Sequence, residues 1–163
     1  MDKSALITAY TPTYNEAGQI REVLESIRWA DEIIIVDSFS TDDTVEIARK
    51  YGARVISQEF SGFGNLRNTA LDAAKNDWMF SIDSDERCTP ELAREIRRES
   101  RSPRYDAYRV PRKSHFMGRW MRHSGWYPDY RQPQFFNRRR MRYRNDVVHE
   151  GFTLSGRLGY LRE

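Results

Sequence analysis

Across its first hundred residues the chain alternates between two hydrophobic periods, and few folds accommodate that order. Leu6 to Ala9 is a short apolar run. Ala17 to Ile27 then sets Ile20, Val23, Leu24 and Ile27 at helical spacing, with Asn15 placed as an N-cap. Ile33 to Val36 is β-branched without polar alternation, the pattern of a strand buried on both faces. Thr41 to Thr44 supplies caps and early acids for a second helix, which stops at Tyr51-Gly52. Arg54 to Ile56 reads as strand, Asn65 to Ala74 as helix, Trp78 to Ile82 as strand, and Pro90 to Arg98 as helix with proline in its first turn. A βαβαβαβα order predicts an open, mostly parallel α/β sheet with helices on both faces, and it places ligands at the carboxyl ends of the strands.

Those ends are polar. Thr11 to Glu16 follows the first strand, Asp37 to Asp43 the second, and Asp83-Ser84-Asp85-Glu86 the fourth. Three carboxylates in four residues repel one another unless a cation or donors compensate, so this cluster points to a divalent metal. Mg²⁺ or Mn²⁺ suits oxygen ligands of this kind, particularly where phosphates complete the shell. The competing reading makes Asp85 or Glu86 a cap for the helix that begins near Pro90. Asp37, directly after a buried strand, can accept from ribose hydroxyls or a base edge. Ser40, Thr41 and Asp42 are also good helix caps, and capping alone accounts for much of that segment.

Past Ser100 the pattern changes. Pro103, Pro111, Pro128 and Pro133 interrupt every stretch, and Trp120, Trp126, Tyr127, Tyr130, Phe135 and Phe136 crowd between them, which predicts short strands, a long aromatic-rich loop and little helix. Charge divides at the same place. Residues 1–100 carry 12 Lys+Arg against 19 Asp+Glu, and residues 101–163 carry 15 against 5. The basic half, with Arg138-Arg139-Arg140 followed by Arg142 and Arg144, is suited to phosphates or a negative surface. Glu150 stands among these cations, which would keep it ionised and able to accept a proton, or would tie it into a salt bridge. Loop aromatics suit sugar rings, whereas Trp29 and Trp78 read as core.

Several chemistries are disfavoured. No apolar run approaches the length of a membrane span, so any membrane contact is peripheral. The N-terminus lacks the layout of a secretory signal and a single cysteine, Cys88, cannot pair internally, which fits a cytoplasmic location. Arg67 stands where a dinucleotide fingerprint would need its third glycine, and no phosphate-cradling Gly-Lys-Ser/Thr loop occurs. Thr153 stands where a zinc helix starting at His149-Glu150 would need its second histidine, and Cys88 reads as a structural thiol.

In order, Tyr14-Asn15-Glu16, Trp29 through Asp37-Ser38 to Asp42, Gly62-Phe63-Gly64 with Arg67-Asn68, Asp83-Ser84-Asp85-Glu86, and Gly118-Arg119-Trp120 through Trp126-Tyr127-Pro128-Asp129-Tyr130 to Val148-His149-Glu150 resemble a family 2 glycosyltransferase of the GT-A fold. The likeness is greatest to the bacterial branch that includes lipopolysaccharide core transferases. It implies one domain over residues 1–163, with a nucleotide-sugar-binding half at 1–100 and an acceptor half at 101–163. Thr13, Tyr14, Glu16, Asp37, Ser38, Arg67 and Asp83 would bind a UDP- or GDP-linked donor, and Asp85 would bind the metal. Glu150 falls at the catalytic base, with Asp129 as second choice, although His149 replaces the first member of the acidic pair usual there. The resemblance further implies inversion at the anomeric carbon and an anionic glycolipid or saccharide acceptor, with no nucleic acid. That branch usually continues with further helices, so this chain is expected to be a truncated or minimal member. A nucleotidylyltransferase shares the sheet and acidic site but normally has a Gly-rich basic loop after its first strand, which Thr11 to Glu16 is not. A nucleic-acid binder using Arg138 to Arg144 is the non-enzymatic alternative, opposed by the acidic first half.

Overall fold

A computed structural model describes residues 5–121, 123, 127–145 and 151–163. Strand β1 (Ile7–Thr13) leads to helix α1 (Ile20–Ser26), β2 (Glu32–Asp37), α2 (Thr44–Lys50), β3 (Arg54–Ser57), α3 (Phe63–Ala73), β4 (Trp78–Ser81) and α4 (Pro90–Glu99). Every element expected in the first hundred residues is present, offset at its ends by a few residues. The second half adds β5 (Ala107–Arg112), a hairpin of β6 (His115–Phe116) and β7 (Arg119–Trp120), then β8 (Asp129–Asn137), β9 (Met141–Tyr143), β10 (Phe152–Leu154) and β11 (Leu158–Tyr160).

Seven strands form one sheet in the order β11-β5-β8-β4-β1-β2-β3. The β4-β1-β2-β3 block is parallel throughout, and β8 runs antiparallel to both β4 and β5. Alternation along the strands sorts side chains onto two faces. Ile7, Ala9 and Phe80 pack with Val23 of α1, Ile27 at its C-cap, and Leu92 and Ile96 of α4. Tyr10, Ile34, Val36 and Met79 pack on the opposite face with Leu66, Ala70 and Leu71 of α3. Helix α2 joins the first face, where Ala48 meets Ile20, Leu24 and Ile35.

Four local expectations are corrected. Strand β1 does not end at Ala9 but continues through Thr11-Pro12-Thr13, pairing Pro12 with Val36. Proline is tolerated there because alternate residues face alternate neighbours: Thr13 O accepts from Ser38 toward β2 and Tyr10 O from Ile82 toward β4. Pro12 therefore turns its missing N–H toward β4, whose ladder with β1 already ends at Tyr10 and Ser81. Asn15 does not cap α1, whose N-cap is Gln19; with φ at 52° it accepts from Thr41 N at 2.8 Å instead. Neither Asp85 nor Glu86 caps α4, because Thr89 Oγ1 accepts from Leu92 N at 3.1 Å with Pro90 behind it. Phe135 and Phe136 belong to no loop; both are fully buried in β8.

Cys88 is buried, and desolvation pushes its thiol up to about 12, so the expected structural role holds. The arginine cluster is largely spoken for. Arg139 meets Asp77 at 2.9 Å, Arg138 reaches the same carboxylate at 3.6 Å and donates to Leu71 O, Arg140 lies 3.9 Å from Asp106, and Arg142 pairs with Asp72. Much of its charge faces acidic residues of this chain.

The glycines of Gly62-Phe63-Gly64 are explained by close approach. A Cβ on Gly64 would lie 2.4 Å from the Arg144 carbonyl oxygen, and one on Gly62 would lie 2.2 Å from Asn145 Oδ1. Gly64→Ala must push backbone aside and is expected to cost about 1–3 kcal/mol, read as a lowered Tm. Gly18→Ala, entering open space, is the control and should shift stability by less than about 0.5 kcal/mol.

Candidate active site

The carboxyl ends of β1, β2 and β4 open into a cleft of about 1060 Å³. This size is at the upper end for sites that enclose a small molecule. Thr13, Tyr14, Glu16, Ser38, Arg67, Asp83 and Asp85 all line it. Seven expected site residues from four separate segments therefore share one wall, because a parallel sheet delivers the residues after each strand to the same edge.

Asp37 lies behind that wall, fully buried, with Oδ2 accepting from Ser40 N at 2.8 Å and Oδ1 from the hydroxyls of Thr13 and Ser40. Ser38 beside it reaches the cleft, and its buried Oγ has no hydrogen-bond partner among the described residues. Asp42, read as a cap, accepts from Thr44 N at 3.0 Å and from Ala17 N at 3.0 Å, joining the loop after β1 to the start of α2. These bonds fix the floor of the cleft at the point where β1 and β2 end.

The acidic cluster after β4 divides into different environments. Arg67, almost fully buried on α3, donates to Asp83 Oδ1 at 2.8 Å and to Ser81 Oγ at 2.8 Å, with its guanidinium 5.6 Å from the Tyr143 ring centre. Tyr143 in turn accepts from the buried hydroxyl of Tyr10 at 2.9 Å. Arg112 on β5 pairs with Glu86 at 2.8 Å and lies 3.7 Å from Asp83. Glu86 also accepts from Asp83 N at 3.0 Å and Gln134 Nε2 at 2.9 Å. Burial raises the Glu86 carboxyl above its ordinary range, repulsion from Asp83 adds to this, and Arg112 opposes it. Its contribution favours the fold at low pH and fades as pH rises through the raised value.

Asp85 differs from both neighbours. It is exposed on the cleft and makes no hydrogen bond or ion pair among the described residues. The repulsion expected to demand a metal is thus met for Asp83 and Glu86 by arginines, and no set of three metal-ligating side chains occurs among the described residues. The donor set nevertheless fits Mg²⁺ or Mn²⁺ held through one free carboxylate, since such ions accept one or two protein carboxylates when water and phosphate oxygens supply the rest.

A match to the family model for glycosyl transferase family 2 spans residues 8–161. The chain belongs to glycosyl transferase family 2. The family 2 chain is 40% identical over 108 residues to an uncharacterized glycosyltransferase of Rickettsia bellii, covering 64% of this chain and 37% of that one. It is 29% identical over 168 residues to the lipopolysaccharide core biosynthesis glycosyltransferase LpsC of Rhizobium meliloti, covering 96% of this chain and 60% of the relative. Among solved structures it resembles glucosyl-3-phosphoglycerate synthase from Mycobacterium tuberculosis in complex with Mn²⁺, UDP and glucosyl-3-phosphoglycerate, at a TM-score of 0.57 and 28% identity over 65% of this chain and 43% of that one. The fold is accordingly GT-A. This chain spans less than two thirds of the length of each of these proteins.

Of the two candidates for the base, one stands apart from the cleft wall. Asp129, at the start of β8, accepts at Oδ2 from Arg131 Nε at 3.0 Å and is not among the residues lining the cleft. Glu150 lies outside the described residues, as do His149 and Trp126. Sequence reasoning missed Arg112, Gln134 and Tyr143, which the antiparallel β5-β8 register and the end of β9 bring to the site. It also missed Phe60 and Phe63, an exposed edge-to-face pair 5.1 Å apart on the cleft wall. Two aromatics flanking the glycine turn were the available signal.

Proposed function

We propose that this protein transfers a sugar from a nucleotide-sugar donor to a glycolipid or saccharide acceptor, with inversion and with the help of Mg²⁺ or Mn²⁺. The observation that carries the reading is the cleft at the ends of β1, β2 and β4, where the unpaired Asp85 stands beside the Arg67-Asp83 pair. Residues 1–100 form the donor half, and residues 101–163 the acceptor half. In the donor half, Tyr14 offers an exposed ring for a nucleobase. Ser38 and Glu16 offer hydrogen-bonding groups to ribose, and Arg67 holds Asp83 oriented toward the same ligand. Asp85 would hold a divalent ion, which would supply positive charge opposite the departing nucleoside diphosphate. Glu150, with Asp129 as the second candidate, takes the proton of the acceptor hydroxyl that attacks the anomeric carbon.

The relatives narrow the chemistry by analogy. Mn²⁺ and UDP are bound in the mycobacterial synthase, which favours a UDP-linked donor over a GDP-linked one here. The role of LpsC in lipopolysaccharide core biosynthesis favours an anionic glycolipid acceptor at the cytoplasmic face of a membrane. No helix among the described residues is long and apolar enough to cross a membrane.

Calorimetric titration with UDP and GDP, in Mn²⁺ and then in EDTA, tests the reading. UDP is expected to bind in Mn²⁺ and to lose at least about tenfold in affinity in EDTA. No binding of either nucleotide by folded protein would sink the proposal.

A further inference from the structure

We infer that the β6-β7 hairpin is a membrane-docking wedge that enters the interface of an anionic phospholipid bilayer. It is the part of the described surface where large apolar side chains, cations and a costly backbone conformation coincide. The hairpin turns on two residues, Met117 and Gly118, with φ of 48° and 76°. Tight hairpins that need positive φ at both positions strongly favour Asn-Gly or Asp-Gly, because a bulky side chain there is strained. Met117 occupies the first position and is 88% exposed, so packing within the chain does not repay that strain. Phe116 beside it is 64% exposed. Water is a poor solvent for both, and the acyl boundary of a bilayer is a good one.

Charge selects the occupant. From Lys113 to His123 the sequence holds three Lys+Arg, two His and no acidic residue. Arg119 pairs across the hairpin with Phe116 and makes no ion pair among the described residues. Lys113 lies 5.7 Å from the Trp120 ring centre at the base, where Trp120 meets Tyr127 edge to face at 5.3 Å. An apolar tip, aromatic rings below it and cations without an ion pair among the described residues match the depth profile of an anionic membrane surface: acyl chains, then headgroup boundary, then phosphates. The arginine cluster at 138–142, the obvious basic feature of the sequence, is less suited, because it lacks an apolar tip and its charges face Asp72, Asp77 and Asp106.

Position gives the wedge a use. The hairpin connects β5, whose Arg112 stands in the cleft, to β8, whose Arg131 and Gln134 line the same cleft. Docking by the tip holds the cleft mouth near the lipid surface. The contact itself requires neither nucleotide nor acceptor, so its failure and failure of the donor-site reading are separable.

The test is co-sedimentation of the full chain, without nucleotide, on vesicles of phosphatidylcholine alone and of an equal mixture with phosphatidylglycerol. The protein is expected to pellet with the mixed vesicles and to remain in solution with phosphatidylcholine alone. Met117→Asp should lower the partition at least about tenfold. Met117→Asn, a residue that accepts positive φ, should weaken binding while leaving Tm unchanged or raised, which separates docking from folding. Neutralising Arg138, Arg139 and Arg140 to Gln should change the partition by less than about threefold. Absence of pelleting on the mixed vesicles, wild-type partition by both Met117 variants, or a loss that follows the arginine cluster instead of the hairpin would each overturn the inference.

Discussion

Asp85→Ala is expected to remove metal-dependent donor binding and to lower sugar transfer by about 10³ or more. Its neighbours explain why this carboxylate, rather than Asp83 or Glu86, should dominate. Asp83 is held by Arg67 and Glu86 by Arg112 and Gln134, so their charge is already matched within the protein. Asp85 is exposed to the cleft and has no such partner among the described residues. Removing it takes away the available anionic ligand without breaking any internal bond, so the variant should unfold within about 0.5 kcal/mol of the wild type. Calorimetry with UDP supplies the sharper readout. The wild type in EDTA should resemble the variant in Mn²⁺, and the variant should no longer respond to EDTA. A variant that binds UDP with wild-type affinity, and loses it in EDTA, would show that the metal is held elsewhere.

How much of this was legible in the sequence depends on the range of the interactions involved. The strands at Ile33–Val36 and Trp78–Ser81 are buried on both faces, so their side chains announce them locally. The extension of β1 through Thr11-Pro12-Thr13 has no such signature, because only the ladder with β2 and the end of β4 make proline tolerable there. In the second half, Phe135 and Phe136 stand among aromatics crowded between prolines, a pattern that predicts short strands and loop without dividing the two. Their burial follows from β8 inserting between β4 and β5, which no local pattern encodes.

The site divides in the same way. Parallel topology gathers residues after β1, β2 and β4 whatever lies between them, so Tyr14, Ser38, Asp83 and Asp85 could be placed together from strand order alone. The compensation of Asp83 and Glu86 could not. Arg112 comes from a strand whose register with β8 includes shifts after Tyr108 and Arg109, and those shifts are set by tertiary packing. Repulsion governs the isolated cluster, whereas in the folded chain Arg67 and Arg112 answer it for Asp83 and Glu86.

The second large effect expected is on the base. Glu150→Gln should lower kcat by about 10²–10⁴ and leave UDP affinity within about twofold, because the substitution keeps the shape and removes the proton acceptor. Glu150 itself lies outside the described residues, but the chain on both sides of it is anchored. Arg144 N donates to Gly151 O at 2.9 Å, Asn145 Nδ2 to Ser61 O at 3.0 Å, and Tyr143 N to Asn68 Oδ1 at 3.1 Å. Those bonds tie the flanks to α3 and to the loop before it, and Tyr143 is a lining residue of the cleft. Asp129→Asn is the comparison. Its carboxylate is engaged by Arg131 and the residue does not line the cleft, so kcat should fall by less than about tenfold. Acceptor-dependent turnover with the same donor, measured across pH for both variants, separates them: loss of the acidic limb of the kcat profile in Glu150→Gln alone assigns the base. A large loss in Asp129→Asn with a near-normal Glu150→Gln would reverse the assignment and require β8 to present Asp129 to the acceptor.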